Sequence, residues 1–371
     1  MLTTAEAVQE QVRRALEQRT PLRIFAGGTK DRLGRPATAL TPLDLSGLEQ
    51  LVSYEPRELI LVVQPGMKLR AVEELLAGEN QHLAFEPPHW GEAATIGGAV
   101  ACNLSGPRRF RAGALRDFIL GIEMIDGGGR RICGGGKVVK NVTGYDLPRT
   151  LCGSFGTLGP LTELCFKVWP RPAASQTLVV HGLSAAAAVA QMTGLAGRPW
   201  EITGLAYACA RLLIRVEGPE PAVAAQVGQL QGLLGGEQEL LEDASSRTFW
   251  RELRELEPLQ PEPGEVLWRF SQPPAEAARL QQALKPHGLR RYAIDWSGGL
   301  LWGVLPATAP AADLHQLALV HQGLAWRFAA SPEDPNEEAF SPLYPGLARL
   351  NQQLKNAFDP HGIFNPGRMA A

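Results

Sequence analysis

Apolar and polar positions alternate along this chain in short, sharply bounded blocks. Ala5 and the stretch Val8 to Leu16 read as a first amphipathic helix with Thr3 or Thr4 as its N-cap. A short apolar run, Leu22 to Phe25, predicts a strand that empties into Ala26-Gly27-Gly28-Thr29. A second predicted strand, Ile60 to Val63, meets the turn Gln64-Pro65-Gly66, and Val72 to Leu76 sits in an amphipathic helix ending near Gly78. From Leu83 to Pro170 the pattern changes to Gly-rich loops around short apolar runs. Ile119 to Ile125 and Arg131 to Cys133 flank a Gly127-Gly128-Gly129 turn as a hairpin, and Leu161 to Trp169 follows. Strands broken by glycine in this way predict a mixed sheet with loops that approach a ligand, rather than alternating βαβ units.

Beyond Pro170-Arg171-Pro172 the pattern is that of an α+β region. Strands are expected at Leu178 to Val180 and Leu212 to Val216, and helices at Ser184 to Met192, Ala222 to Leu234 and Ala275 to Leu284, with a proline-rich loop from Glu257 to Gly264. No internal repeat of fixed period is visible. The 371 residues suffice for two or three domains, each with its own core. With 40 glycines and 29 prolines, many tight loops are expected.

Charge narrows the partners. The formal net charge is −2, which gives no basis for nucleic-acid binding. The residues up to Pro172 carry a small positive excess and the rest a negative one, which suits an anionic ligand in the N-terminal part. Cys102, Cys133, Cys152, Cys165 and Cys209 form no C-x-x-C pair, so no metal or iron–sulfur cluster is expected and burial as small apolar side chains is. The N-terminal stretch lacks the basic-then-apolar pattern of a signal peptide, and no uncharged run approaches the ~18 residues of a membrane span. A soluble cytoplasmic protein is expected, compatible with a peripheral seat on the inner membrane through a complex.

Several glycine clusters invite a phosphate-binding reading. Gly134-Gly135-Gly136-Lys137 fails as a P-loop, because Arg131 stands where the first Walker glycine belongs and Val138 where Ser or Thr must hold magnesium. No G-x-G-x-x-G follows a predicted strand, which disfavours a Rossmann nicotinamide enzyme. What remains is a distributed set: Ala26-Gly27-Gly28-Thr29, then Ala94-Thr95-Ile96-Gly97-Gly98 with Asn103 and Gly106, then Gly153-Ser154-Phe155-Gly156-Thr157-Leu158-Gly159. Each alone is compatible with a tight turn. Together they suit a large cofactor whose pyrophosphate is gripped by backbone N–H groups from several loops.

The string from Pro87 to Pro170, with Ala94 to Ala101, Val138-Val139-Lys140-Asn141-Val142-Thr143-Gly144-Tyr145-Asp146-Leu147 and Gly153 to Gly159, resembles the FAD-binding domain of the vanillyl-alcohol-oxidase (PCMH) type. More narrowly it is similar to the FAD-binding E subunits of bacterial glycolate oxidases, as is the closing segment Phe358 to Arg368. The resemblance implies an α+β fold: a PCMH-type FAD-binding domain of two subdomains over 1–172, a reduced α/β cap or substrate-type domain over 173–345, and a C-terminal segment, 346–371, that packs back on the first domain.

By position, the resemblance assigns Gly27, Gly28, Thr29 and Lys30 to the first pyrophosphate loop. Pro88, Thr95, Gly97, Gly98, Ala101 and Asn103 form the second wall. Gly106, Gly113 and Asp117 shape the neighbouring turn, Gly159 and Leu161 present backbone to the adenine, and Asn365 returns toward the flavin end. Thr29 stands where covalent members carry a linking histidine, which implies noncovalent FAD.

The implied activity is oxidation of a 2-hydroxy acid such as glycolate. Related dehydrogenases and the catalytic partner subunit carry a G-H-x-G-D-G-N-x-H segment that residues 173–371 lack. No catalytic residue is therefore assigned, and a catalytic FAD subunit and an iron–sulfur subunit are expected as partners. Two alternatives stay open: a self-sufficient FAD-dependent oxidoreductase, and a non-catalytic flavin-binding assembly subunit. His315 and His321 read as core or helix-surface residues rather than metal ligands, and His82 and His89 flank the second flavin loop. Arg108, Arg109, Arg111 and Arg116 read either as an exposed holder of carboxylates or as a solvated basic loop.

Overall fold

The computed structural model describes residues 2–35, 40–136, 145–328 and 339–369. Lys137 and the Val138 to Gly144 part of the resemblance lie outside these. The chain forms two compact units: Met1–Ser105, Ala114–Arg171 and Leu343–Ala371 make the first, and Gly106–Gly113 with Pro172–Pro342 the second.

In the first unit, helix Ala5–Gln18 begins where Thr4 accepts a hydrogen bond from Ala7 N–H through its side chain, and ends on Arg19 in the left-handed region. Its Val8, Val12 and Ala15 pack with Leu22 and Leu43 of a parallel strand pair, Leu22–Phe25 and Thr41–Asp44, and with Ile363 and Phe364 from the C-terminus. A five-stranded antiparallel sheet runs in the order Leu51–Glu55, Ile60–Val63, Leu161–Lys167, Ile119–Ile125, Arg131–Gly135. All four residues of Ile60–Val63 are buried, as a continuous β-branched and aliphatic run in a central strand requires. The mixed sheet expected from the glycine-broken strands is thus antiparallel here, and the parallel pair Leu22–Phe25 and Thr41–Asp44 forms a separate two-stranded sheet.

The second unit is built on one eight-stranded sheet, entirely antiparallel. Its strands run Gln238–Leu241, Ala174–His181, Arg211–Gly218, Ile202–Ala208, Arg291–Asp295, Leu300–Pro306, Glu265–Ser271, Leu324–Phe328. Helices Ala185–Ala196 and Glu220–Leu233 punctuate the first four strands, and Ala277–Leu284 and Ala311–Val320 the last four. Each half is therefore a βαββαβ motif, and the strand order of the second mirrors that of the first across the pairing of Ile202–Ala208 with Arg291–Asp295. This is an internal repeat of topology that the sequence does not display as a period. One sheet face and the four helices share a single apolar core that includes Val180, Val189, Ile214, Val227, Trp268, Leu280 and Leu314.

Three expectations are corrected. Burial of all five cysteines is one: Cys102 and Cys165 are buried and Cys152 half-buried, but Cys133 and Cys209 are exposed. The basic segment is another. Arg108 is buried, with its guanidinium forked onto buried Glu217, and Arg109 stacks on Trp296, its guanidinium carbon 4.1 Å from the ring centre. Only Arg111 and Arg116 are exposed. Glu217 also accepts from Thr203 and lies 3.5 Å from Arg215, so it anchors segment 106–113 to the sheet of the second unit. The third is position: Gly106 and Gly113 belong to this second unit, and Gly106 O accepts a hydrogen bond from Trp296 Nε1 at 3.0 Å.

Candidate flavin-binding cleft

The first unit carries a cleft with about 850 Å³ of empty space, counting the solvent at its mouth. Of the residues singled out in the sequence, Gly27, Gly28, Thr29, Lys30, Thr95, Gly97, Gly98, Ala101, Gly159, Leu161 and Asn365 line it. They come from three separated stretches of chain and the C-terminal return. Pro88 is buried and does not line the cleft; it precedes His89, whose carbonyl accepts from Lys30 Nζ at 2.8 Å. Asn103 is the left-handed C-cap of helix Ile96–Cys102. Asp117 is exposed and caps its own turn by accepting from Ala114 N–H at 2.9 Å.

The strand Leu22–Phe25 delivers the first loop to the cleft. Gly28 has φ +68°, and a Cβ on Gly27 would fall 1.6 Å from Ala93 O. Neither position accommodates a larger residue. The backbone N–H groups of Gly27, Gly28 and Thr29 find no acceptor among the described residues. Consecutive amides of this kind form a concavity for an anion.

The opposite wall is helix Ile96–Cys102, and its first amides are already used. Ile96 N–H donates to Met67 O at 3.0 Å, Gly97 N–H to Pro65 O at 2.8 Å, and Gly98 N–H to Thr95 Oγ1 at 3.2 Å. This wall contributes shape rather than free donors. A Cβ on Gly97 would lie 2.5 Å from Pro65 Cβ, so the close approach of helix and turn depends on that glycine.

Positive charge gathers at the first loop. Lys30 is buried, donates from Nζ to Thr29 Oγ1 at 2.9 Å as well as to the His89 carbonyl, and lies 5.8 Å from the centre of the Trp90 ring. Arg368 is also buried and spends its N–H groups on the carbonyls of Lys30, Asp31 and Arg35. Burial holds its pKa below the usual arginine value. Arg23 pairs with Asp31 at the edge.

The third loop is tied in from two sides. Phe155 N–H donates to Ala101 O at 2.8 Å and Gly153 N–H to Val100 O at 3.0 Å. The buried side chain of Asn365 accepts from Ile24 N–H and donates to Phe155 O, both at 2.8 Å. Burial pushes the Cys102 thiol, which also lines the cleft, up to about 11, so it stays protonated and unreactive at neutral pH.

Among the described residues no histidine lines the cleft. His89 faces Glu73 at 3.2 Å, and His321 pairs with Glu276 at 2.8 Å. His315 is buried edge-on to Trp268, with Nδ1 3.0 Å from Ser341 Oγ. Tyr145 is exposed, and Asp146 caps helix Leu147–Leu151. Among the described residues no group of three His, Cys, Asp or Glu side chains is placed to hold a metal ion.

Sequence reasoning missed Arg23, Pro65 and Arg368 as parts of the cleft. Arg368 closes a recognised segment, but nothing local signals that its guanidinium caps carbonyls more than three hundred positions away.

The comparisons with known proteins agree with this geometry. Residues 1–133 match the family described as FAD binding domain. An alkyldihydroxyacetonephosphate synthase structure superposes over 98% of this chain and 75% of its own with a TM-score of 0.70 at 17% identity, which establishes the fold. The chain is thus an FAD-binding flavoprotein of the oxidoreductase class. It is 42% identical to the glycolate oxidase subunit GlcE of Escherichia coli (strain K12) over 99% of this chain and 97% of that protein, and it belongs to that family of glycolate oxidase subunits. It is also 36% identical to the glycolate oxidase subunit GlcD of Bacillus subtilis (strain 168), over 36% of this chain and 28% of that one. A D-lactate dehydrogenase of Archaeoglobus fulgidus is 32% identical over 46% and 38%.

Proposed function

We propose that this chain is the FAD-binding subunit of a glycolate (2-hydroxy acid) oxidase complex and takes part in flavin-dependent oxidation of glycolate to glyoxylate. The observation that carries the reading is the cleft, where three acceptor-less amides and two buried cations converge between glycine-built walls. That donor set fits a diphosphate. Gly27, Gly28 and Thr29 would hold it, Lys30 and Arg368 would offset its charge, and Thr95, Gly97, Gly98 and Ala101 would wall the cofactor. Gly159, Leu161 and Asn365 would bound its far side. Pro88, Asn103 and Asp117 shape turns beside these loops, whereas Gly106 and Gly113 belong to the second unit.

FAD, when bound, supplies the two-electron acceptor; the protein orients it and excludes water. With Thr29 in the first loop and Cys102 held as a neutral thiol, the flavin is bound without a covalent link. Residues 1–105, 114–171 and 343–371 would serve this role, and 106–113 with 172–342 would form a reduced cap. The chain lacks the histidine-rich hydroxy-acid segment and cysteine spacing for a cluster. A catalytic flavin subunit and an iron–sulfur subunit are therefore its partners. It works in the cytoplasm, at most peripheral to the inner membrane through those partners; no helix of the described residues is long and apolar enough to cross a membrane.

The test is steady-state dye reduction with glycolate and D-lactate, by the isolated chain and after adding the partner subunits. Turnover only in the mixture is expected. Rapid turnover by the chain alone would make it a self-sufficient oxidoreductase.

A further inference from the structure

The strand Glu265–Ser271 sends Val266, Trp268 and Phe270 into the apolar core of the second unit and turns Arg269 to the opposite face of the sheet. On that face its register partners on both sides are tryptophans, Trp302 on Leu300–Pro306 and Trp326 on Leu324–Phe328. The guanidinium carbon lies 4.5 Å from the ring centre of Trp326, 5.3 Å from Trp296 and 5.9 Å from Trp302. Arg109 stacks on the same Trp296 and adds a second positive charge.

Arg269 is 8% exposed, and its guanidinium makes no hydrogen bond or ion pair with any described residue. Indole faces attract a cation but do not accept its five in-plane N–H groups, and a buried cation without acceptors is costly. Burial and the Arg109 charge push its pKa down to about 9, which leaves it cationic at neutral pH.

The same sheet supplies its own control. Arg215 is also buried against a tryptophan, 4.6 Å from the Trp250 ring centre, but it has Thr203 Oγ1 at 3.2 Å and Glu217 at 3.5 Å. At Arg215 the sheet sets a hydroxyl and a carboxylate beside the buried guanidinium. At Arg269 it provides aromatic walls and leaves the donors open.

We propose that Arg269, framed by Trp296, Trp302 and Trp326, is a binding site for the carboxylate group of a small organic acid. A carboxylate is planar and takes the guanidinium fork through two parallel hydrogen bonds, and flat indole walls admit it edgewise. The narrow residual exposure favours an acid of two or three carbons over the side chain of a docking protein. The assignment stands on the second unit alone. Glycolate as a probe follows from the proposed function, whereas acetate tests the carboxylate site without it.

The experiment is isothermal titration of the full, flavin-loaded chain with sodium glycolate, acetate and sulfate, with the flavin absorbance recorded before and after. Saturable one-to-one binding of both carboxylates is expected, at least tenfold weaker in Arg269→Lys and lost in Arg269→Met. Flavin content should be unchanged in both variants, so loss of this site is distinguishable from loss of the cofactor. Arg269→Met should melt no lower than the parent, since it removes a buried unpaired charge. Absence of saturable binding by the parent overturns the proposal, as does sulfate binding as tightly as acetate, or unchanged affinity in Arg269→Met. Preference for a glutamate-rich peptide over the free acids would replace the small acid by a protein partner. If Arg269→Met does not fold, Trp326→Ala decides: weaker acetate binding supports the site and unchanged binding overturns it.

Discussion

Asn365 donates its side-chain N–H to the carbonyl of Phe155 at 2.8 Å across 210 positions of sequence, and in doing so holds the third loop of the cleft against the C-terminal return. Its other amide atom accepts from Ile24 N–H, at the strand that leads into the first loop. One buried side chain thus fixes two walls of the site. Asn365→Ala removes the partner of a half-buried donor, Ile24 N–H, and of a buried acceptor, Phe155 O, and an unmatched buried group costs about 1–3 kcal/mol. A lower melting temperature and faster loss of flavin on dilution are expected, read by thermal denaturation and flavin fluorescence.

The glycines of the cleft should differ sharply from one another. At Gly98 an added Cβ meets Thr95 Oγ1 at 3.3 Å and Lys30 Cδ at 3.5 Å, a tight but adjustable fit. At Gly27 it meets the Ala93 carbonyl oxygen at 1.6 Å, and no side-chain rotation relieves a backbone clash. Gly98→Ala is expected to stay folded and retain flavin. Gly27→Ala should lose flavin and at least the ~1–3 kcal/mol typical of overpacking. Flavin-to-protein absorbance ratios with chemical denaturation check both.

In the second unit, Glu217→Gln should be severe, because it strands the guanidinium of Arg108 and weakens the support of Arg215. Breaking one side of a buried pair costs about 3–5 kcal/mol, whereas replacing both partners by apolar residues is often near neutral. The melting temperature of Arg108→Met with Glu217→Leu should therefore lie above that of Glu217→Gln. Equal melting temperatures would show that the pair anchors nothing.

Thiol chemistry reports the burial pattern. Cys133 and Cys209 are exposed, Cys102 and Cys165 are buried, and burial pushes half-buried Cys152 up to about 12. An aromatic disulfide reagent at neutral pH should label Cys133 and Cys209 in the native chain and all five cysteines after denaturation. Rapid native labelling of Cys102 would mean the cleft wall is open.

Local pattern made part of this fold legible. The blocks Ile60 to Val63 and Ile119 to Ile125 coincide with observed strands, and the first helix is capped by Thr4, because period and cap chemistry act over a few residues. The strand Glu265–Ser271 was not legible, since Arg269 breaks its apolar run in sequence while lying on the opposite face of the sheet, among three tryptophans from other elements. The paired βαββαβ motifs were hidden for a related reason: topology repeats while the side chains do not. In the cleft, glycine and threonine positions were readable because close backbone approach restricts residue type. The fork of Arg108 on Glu217 was not, because nothing local tells a buried arginine from a solvated one.

Occupancy of the cleft by FAD is read from the absorption spectrum of the purified chain, followed by acid precipitation. A yellow protein with one FAD per chain is expected, with all of the FAD released to the supernatant. Colour retained in the pellet would show a covalent bond, and a colourless chain that takes up no added FAD would contradict the cleft as its binding site.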